Sequence, residues 1–300
     1  MGYLFLGLAN LCGAIKGYCG KKVSSSVKKT SDATLANLLR MVLCVFIGFF
    51  VVLLSGGFKD FSIGTAGTLI SLLSGISNAV FVISWLFAVS AGAYMLVDAF
   101  LTLGLAVPIA LCSVFFGENI EWNHLVGFAI LLLAVTVMCS YSSSIKAKIS
   151  VKSLSLLLLC GVSYGLASFS QKWFAYESDG GSIAAFNFYT YLFAATVLLA
   201  AFLALTKIKR TENDEDKKSF TLKPVWYFIV VMAVTLFANS YLMTLAATKL
   251  DAVLIYPLST GLGLLLSTLM CSIFFKERIT ARCVVGISLS FCAIIFINFL

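Results

Sequence analysis

Charge is scarce in this chain. Of 300 residues, 11% are Asp, Glu, Lys or Arg, and His124 is the one histidine. Soluble domains carry about a quarter charged residues, so a water-soluble globular fold is excluded. The formal net charge is +8, but the basic residues sit in short breaks between apolar runs. There they orient a protein in a bilayer rather than track a phosphate backbone, and no nucleic-acid partner is expected. One histidine and no Cys-x-x-Cys pair leave no metal site to expect. Seven of the nine cysteines (Cys12, Cys44, Cys112, Cys139, Cys160, Cys271 and Cys292) lie inside apolar runs and read as small buried apolar residues. Nucleophile–base sets and phosphate loops are missing, so neither a catalytic residue nor a cofactor is expected. Asn-x-Ser/Thr sequons are absent too. The N-terminus enters an apolar run without a basic leader or small-residue cleavage site, so no cleavable signal peptide is expected.

What the chain has is apolar length. It is 61% hydrophobic, with a mean hydropathy of +1.03. A membrane-spanning helix needs about 20 apolar residues. Ten runs are candidates, at about 2–20, 33–54, 66–88, 91–115, 123–141, 153–175, 182–206, 224–247, 252–275 and 281–299. Backbone polar groups at that depth must be satisfied within the segment, so the runs read as helices. They are continuous rather than alternating, which excludes a transmembrane β-barrel. The longest hydrophilic break is 207–223. Lysine and arginine concentrate in the breaks between spans 1 and 2, 5 and 6, 7 and 8, and 9 and 10, which share one face. By the positive-inside rule that face is cytoplasmic and both termini are outside.

The chain also repeats itself. LCSVFFGE (111–118) returns as MCSIFFKE (270–277), so Cys112, Ser113, Phe115, Phe116 and Glu118 recur 159 positions later. Gly104 and Gly127 recur at the same offset as Gly263 and Gly286. Earlier in each half, LCGAIKG (11–17) matches LCGVSYG (159–165) at an offset of 148. The longer 207–223 break accounts for the change. Two copies of one hydrophobic unit mark a transporter with a pseudo-two-fold axis. The expected division is a five-helix repeat over 1–141, a linker over 142–152 and a second five-helix repeat over 153–300. Five spans is an odd number, so the repeats are expected to be inverted.

Each half resembles an EamA-type unit of the drug/metabolite transporter superfamily, in its ten-helix, two-repeat form. The second span opens LANLLRMVLCVFIGFF, with Arg40 in the position of that family's Leu-Arg-aromatic run. The fourth and ninth spans end in VFFGE and IFFKE, each followed nine residues after the glutamate by Gly127 or Gly286. Thr190 or Tyr191 stands where the second half's arginine is expected. Gly104 and Gly263 stand where a mid-helix proline is common, and family members with cytoplasmic termini differ from the orientation read above. The resemblance implies movement of a solute: an amino acid, metabolite, nucleotide sugar or drug.

Charged side chains inside spans are costly and need a reason. Lys16, Arg40 and Asp98 form a charge cluster at one depth. One reading is an Arg40–Asp98 lock with Lys16 reaching the interface; the other is a subsite in which Lys16 or Arg40 holds an anionic group and Asp98 a proton or an amine. Polar residues at helical spacing outline a candidate cavity: Asn78 and Trp85, Tyr94, Asp98 and Thr102, Tyr164, Ser168 and Gln171, Asn187 and Tyr191, Asn239, and Tyr256 and Thr260. Ser71, Thr235 and Ser259 extend the same stripes. Helix–helix hydrogen bonds are the competing account of each stripe. Gly13/Gly17 and Gly161/Gly165 are two GxxxG pairs suited to close helix packing. Glu118 and Glu277 read as helix-end residues.

The resulting expectation is an all-α membrane protein of ten transmembrane helices in two inverted five-helix repeats. It would be a secondary transporter, exporter or exchanger, of a small organic solute such as an amino acid or related metabolite, working by alternating access. Its partners would be the solute and the lipid bilayer, as a monomer or homodimer in the plasma membrane. The alternatives are an intramembrane enzyme, for which only Asp98 is at depth, and a non-transporting structural or receptor-like membrane protein with dry repeat interfaces.

Overall fold

A computed structural model describes residues 1–24, 30–90, 100–139, 151–177, 181–211, 225–275 and 281–299. Among the described residues the regular elements are helices. In chain order they are α1 (Gly2–Ser24), α2 (Thr30–Ser55), α3 (Gly64–Ser90), α4 (Phe100–Phe116), α5 (Trp122–Cys139), α6 (Val151–Glu177), α7 (Ile183–Thr211), α8 (Trp226–Ala247), α9 (Ala252–Phe275) and α10 (Ala281–Phe299). A short 3-10 turn, Gly57–Phe61, follows α2. The basic breaks at 25–29, 140–150, 212–224 and 276–280 lie outside the described residues.

Six of these helices (α2, α3, α6, α7, α8 and α9) are long and apolar enough to cross a membrane. The apolar parts of α4, α5 and α10 are shorter. Ten full spans were expected from the sequence. Helix α1 is not among the six: Asn10, Lys16 and five glycines dilute its apolar side chains. Large apolar residues nevertheless remain exposed along the bundle, among them Phe46, Phe50, Leu158, Leu203, Phe291 and Ile295. Contiguous apolar exposure on this scale is what lipid contact requires. The protein is an integral, multi-pass membrane protein.

Two cores organise the packing. The first joins α2, α3, α7 and α8 through Met41, Cys44, Val82, Leu86, Tyr191, Leu198 and Phe237. The second joins α1, α4, α6, α8 and α9 through Leu6, Leu105, Cys112, Phe169, Ala247, Ile255 and Tyr256. The most extensive helix pairs are α1 with α8 and α3 with α6; α2 with α8 and α3 with α7; α1 with α9 and α4 with α6; and α2 with α7 and α5 with α10. Replacing every helix by the one five places away maps these eight pairs onto themselves, whereas the lesser α9–α10 and α6–α8 packings have no counterpart of similar extent among the described residues.

Helix α4 is broken by a turn at Leu105. Pro108 has no N–H, so the Gly104 carbonyl has no donor four residues on. There α4 crosses α6 glycine on glycine. A Cβ on Gly104 would fall on the Gly161 carbonyl, one on Gly161 would reach the Phe100 carbonyl, and one on Gly165 would fall on the Gly104 carbonyl. Small residues of this kind let membrane helices approach backbone to backbone. Helix α4 stops at Gly117, whose φ of 68° is left-handed and whose N–H donates to the Ser113 carbonyl.

Candidate functional site

Five neutral polar residues of the candidate site, Gln171, Asn187, Tyr191, Asn239 and Tyr256, join helices through their side chains. Gln171 Nε2 on α6 donates to Ser240 Oγ on α8 at 3.0 Å, and Ser240 in turn donates to Asn187 Oδ1 on α7 at 2.5 Å. The Asn187 amide donates to the Ile183 carbonyl at 2.9 Å. Three helices are thus joined through one serine. Asn239, next to Ser240 on α8, faces the other way and donates to the Ala9 carbonyl of α1 at 2.6 Å. Ser259 on α9 donates to Asn10 Oδ1 on α1 at 3.1 Å. The Tyr256 hydroxyl donates to the Ser168 carbonyl at 2.5 Å, joining α9 to α6. Tyr191 donates to the Leu236 carbonyl at 3.3 Å.

Other candidates sit apart from this chain of bonds. Asn78 donates to the Ser74 carbonyl of its own helix, and Thr260 to the Tyr256 carbonyl. Trp85 packs against Ala88, Leu157 and Cys160. Tyr164 lies against the Phe81 ring at 5.6 Å, and Thr102 is buried. Tyr94 and Asp98 lie outside the described residues. The two GxxxG pairs have different surroundings. Gly161 and Gly165 meet α4 at the crossing described above, whereas Gly13 touches only the Asn239 amide and Gly17 has open space where a Cβ would be.

A buried ion-pair cluster was not legible as such. Lys172, five residues before the end of α6, is only 7% exposed. Its ammonium lies 3.1 Å from Glu118 Oε1 and 3.9 Å from Asp251 Oδ1. It also donates to the Ala247 and Leu250 carbonyls, at 3.2 and 2.7 Å. The other Glu118 oxygen accepts the Ala252 N–H at 2.7 Å. The lysine therefore closes the negative C-terminal end of α8, and the glutamate the positive N-terminal end of α9. Glu118 caps a helix 134 residues away rather than its own. Beside the cluster, Phe116 stacks on Tyr176 at 4.4 Å and Phe169 on Phe116 at 5.9 Å, with Trp173 next to Phe169. At this end of the bundle α4, α6, α8 and α9 are joined by charge and by aromatic packing.

The other charged centre is different in kind. Lys16 lies eight residues from the end of α1, and Arg40 ten residues into α2, about 12 and 15 Å along their helices. Contacts to α8 give their level. Gly20 faces Met232 and Gly13 faces Asn239, so antiparallel α1 brings Lys16 beside Leu236. Ala36 clusters with Ile229, and Cys44 Sγ donates to the Ala233 carbonyl at 3.4 Å, so Arg40 lies within about one and a half turns of Lys16. The two cations are close enough to act on each other, and Cys44 and Tyr191, which share a core cluster, are within electrostatic reach of Arg40. Among the described residues no carboxylate pairs with either cation, and Arg40 Nε is buried without a hydrogen-bond partner.

No curated protein sequence matches this chain significantly. A solved structure described as "Crystal structure of protein" superposes with a TM-score of 0.78, at 13% sequence identity, covering 99% of this chain and 96% of that one. At that identity the likeness concerns the fold. Residues 151–299 match the family model of the EamA-like transporter family, and through this half the chain belongs to that family.

Proposed function

We propose that the protein is a secondary transporter, exporter or exchanger, of a small organic solute such as an amino acid or related metabolite. It works by alternating access between two inverted five-helix repeats, 1–141 and 153–300, in the plasma membrane. The observation that carries this reading is the set of the eight most extensive helix pairs, which is unchanged when the halves are exchanged. Contact directions support inversion. Helix α1 runs parallel to α9 (Asn10 with Ser259, Tyr18 with Phe274), and α9 runs antiparallel to α6 (Tyr256 with Ser168, Lys172 with Leu250), so α1 and its counterpart α6 point in opposite directions. Cargo would then sit between the repeats near mid-depth, where α1, α2, α7 and α8 meet.

The two ends of the bundle support a state in the cycle. The end with Glu118, Lys172 and Asp251 is the joined one. The end where α1 finishes and α2 begins holds Lys16 and Arg40 with no described carboxylate beside them. Opening the joined end would require parting α4 and α9 from α6 and α8, which breaks the Lys172 cluster.

The test is reciprocity. Spin labels at Lys21 and Leu154 report one end, and labels at Lys59 and Lys249 the other. All four positions are exposed, and each pair spans the two halves. In liposomes, solute or pH conditions that lengthen one distance should shorten the other. Distances that stay fixed under every condition, or that change together, would favour a non-transporting membrane protein.

A further inference from the structure

We propose that Lys16 and Arg40 form the subsite for the anionic group of the transported solute, so that the cargo carries a carboxylate or phosphate. The proposal rests on the transporter reading above and adds the chemical class of its cargo.

The first argument is charge. Two cations lie within about one and a half turns of each other along α8, well inside the bundle. The chain has 13 acidic residues, and Asp98 is the one well inside an apolar run. If Asp98 reaches the pair, it neutralises one cation and leaves the other. A positive charge is therefore left over at a depth where an unpaired charge is strongly disfavoured. An anion supplied from solution removes that imbalance.

The second argument is the use of hydrogen bonds. Gln171, Ser240, Asn239, Ser259 and Tyr256 all spend donors on neighbouring helices, and Asn187 spends its donor on its own helix. Arg40 Nε is buried and does not. A guanidinium offers a planar fork of donors that fits two oxygens of a carboxylate or phosphate, and an ammonium adds a point charge.

The third argument is position. The offset that takes Gly17 to Gly165 takes Lys16 to Tyr164 and Arg40 to Phe188, with Thr190 and Tyr191 within a turn of that position. Helices α2 and α7 cross where Gly48 packs on Phe188, and Tyr191 is within electrostatic reach of Arg40. Repeat-equivalent residues that are neighbours lie next to the axis relating the repeats, where transporters place cargo. The cations occur only in the first copy, which gives the site a charged and an uncharged side.

The test is binding to the purified full-length protein. The probes are phenyl phosphate and benzoate, with benzyl alcohol as neutral control and benzylamine as cationic control. Protein in phosphatidylcholine nanodiscs should be thermally stabilised by the two anions and not by the controls. Arg40→Gln and Lys16→Gln should each weaken anion binding about 10- to 100-fold, the loss of one charge-assisted hydrogen bond. Arg40→Lys should weaken it less. Full-strength anion binding by a folded Lys16→Gln/Arg40→Gln double variant would overturn the proposal. If the variants do not fold, the wild-type protein decides: equal stabilisation by benzyl alcohol and benzoate would overturn it. Displacement of bound probe by phosphatidylglycerol nanodiscs, with no binding of soluble anions at any concentration in phosphatidylcholine, would assign the site to a lipid headgroup and overturn it as well. Proteoliposome flux separates the two readings. Anion binding without flux of any solute refutes transport and leaves the subsite standing, whereas flux of neutral or cationic solutes alone refutes the subsite and leaves transport standing.

Discussion

Replacing Glu118 by Gln removes one charge from a pair whose side chains are 9% and 10% exposed. Breaking a buried pair from one side costs about 3–5 kcal/mol, because the remaining charge stays buried. The geometry sets where in that range each variant falls. After Glu118→Gln, an amide oxygen can still accept from Ala252, and Lys172 keeps the Ala247 and Leu250 carbonyls with Asp251 at 3.9 Å. The lower end, about 3 kcal/mol, is expected. Lys172→Met leaves the Glu118 carboxylate with one N–H and the last carbonyls of α8 without their donor. The upper end, about 5 kcal/mol, is expected. At roughly 2 °C per kcal/mol for a chain of this size, melting should fall by roughly 6 to 10 °C. The double variant Glu118→Gln/Lys172→Met removes both charges and should recover a coupling energy of at least about 2 kcal/mol. The assay is melting of the purified protein in mild detergent, followed by loss of the monodisperse peak on size exclusion. Single variants within about 1 °C of wild type, or a double variant equal to the sum of the singles, would refute the reasoning.

Gly161→Ala places a methyl against the Phe100 carbonyl and should lower stability by about 1–3 kcal/mol, whereas Gly17→Ala, with open space, should be neutral or gain up to about 1 kcal/mol; melting of both variants checks this. Ser240→Ala strands both Gln171 and Asn187 and should cost about 1–3 kcal/mol, more than Ser259→Ala, which frees one bond worth about 0.6 kcal/mol. Cysteines at Ser25 and Ser219, in a cysteine-free background, should resist an impermeant thiol reagent in whole cells, because the lysine-rich breaks are expected to face the cytoplasm. Labelling of both from outside would reverse that orientation.

Apolar run length alone was enough to anticipate helices at each of the ten places, because a bilayer leaves the backbone no other partner. It overestimated α1, where Asn10 and Lys16 interrupt the run. The LCSVFFGE repeat located Glu118 but not its role, since Ala252 and Lys172 meet it only after α4, α6 and α9 have packed. Nothing in the sequence marks Lys172 as buried; Phe116 and Glu118 at the end of α4 and the ends of α8 and α9 close around it only in the folded bundle. Stripe counting found Asn239 but passed over Ser240, because adjacent helical residues point to different neighbours and only the tertiary fold says that both directions are buried. Lys16 and Arg40 were legible as a pair because depth along two adjacent helices can be counted from the shared break at 21–32.

The most direct measurement of the account is solute counterflow. The purified protein is reconstituted into liposomes preloaded with unlabelled solute, and entry of the same solute in labelled form is followed for amino acids, small carboxylates and sugar phosphates. A transporter working by alternating access should accelerate labelled entry into preloaded liposomes over empty ones for at least one solute, and Gly161→Ala should reduce that acceleration. Entry no faster than into protein-free liposomes for every solute, with the protein shown to be folded and inserted, would contradict the account.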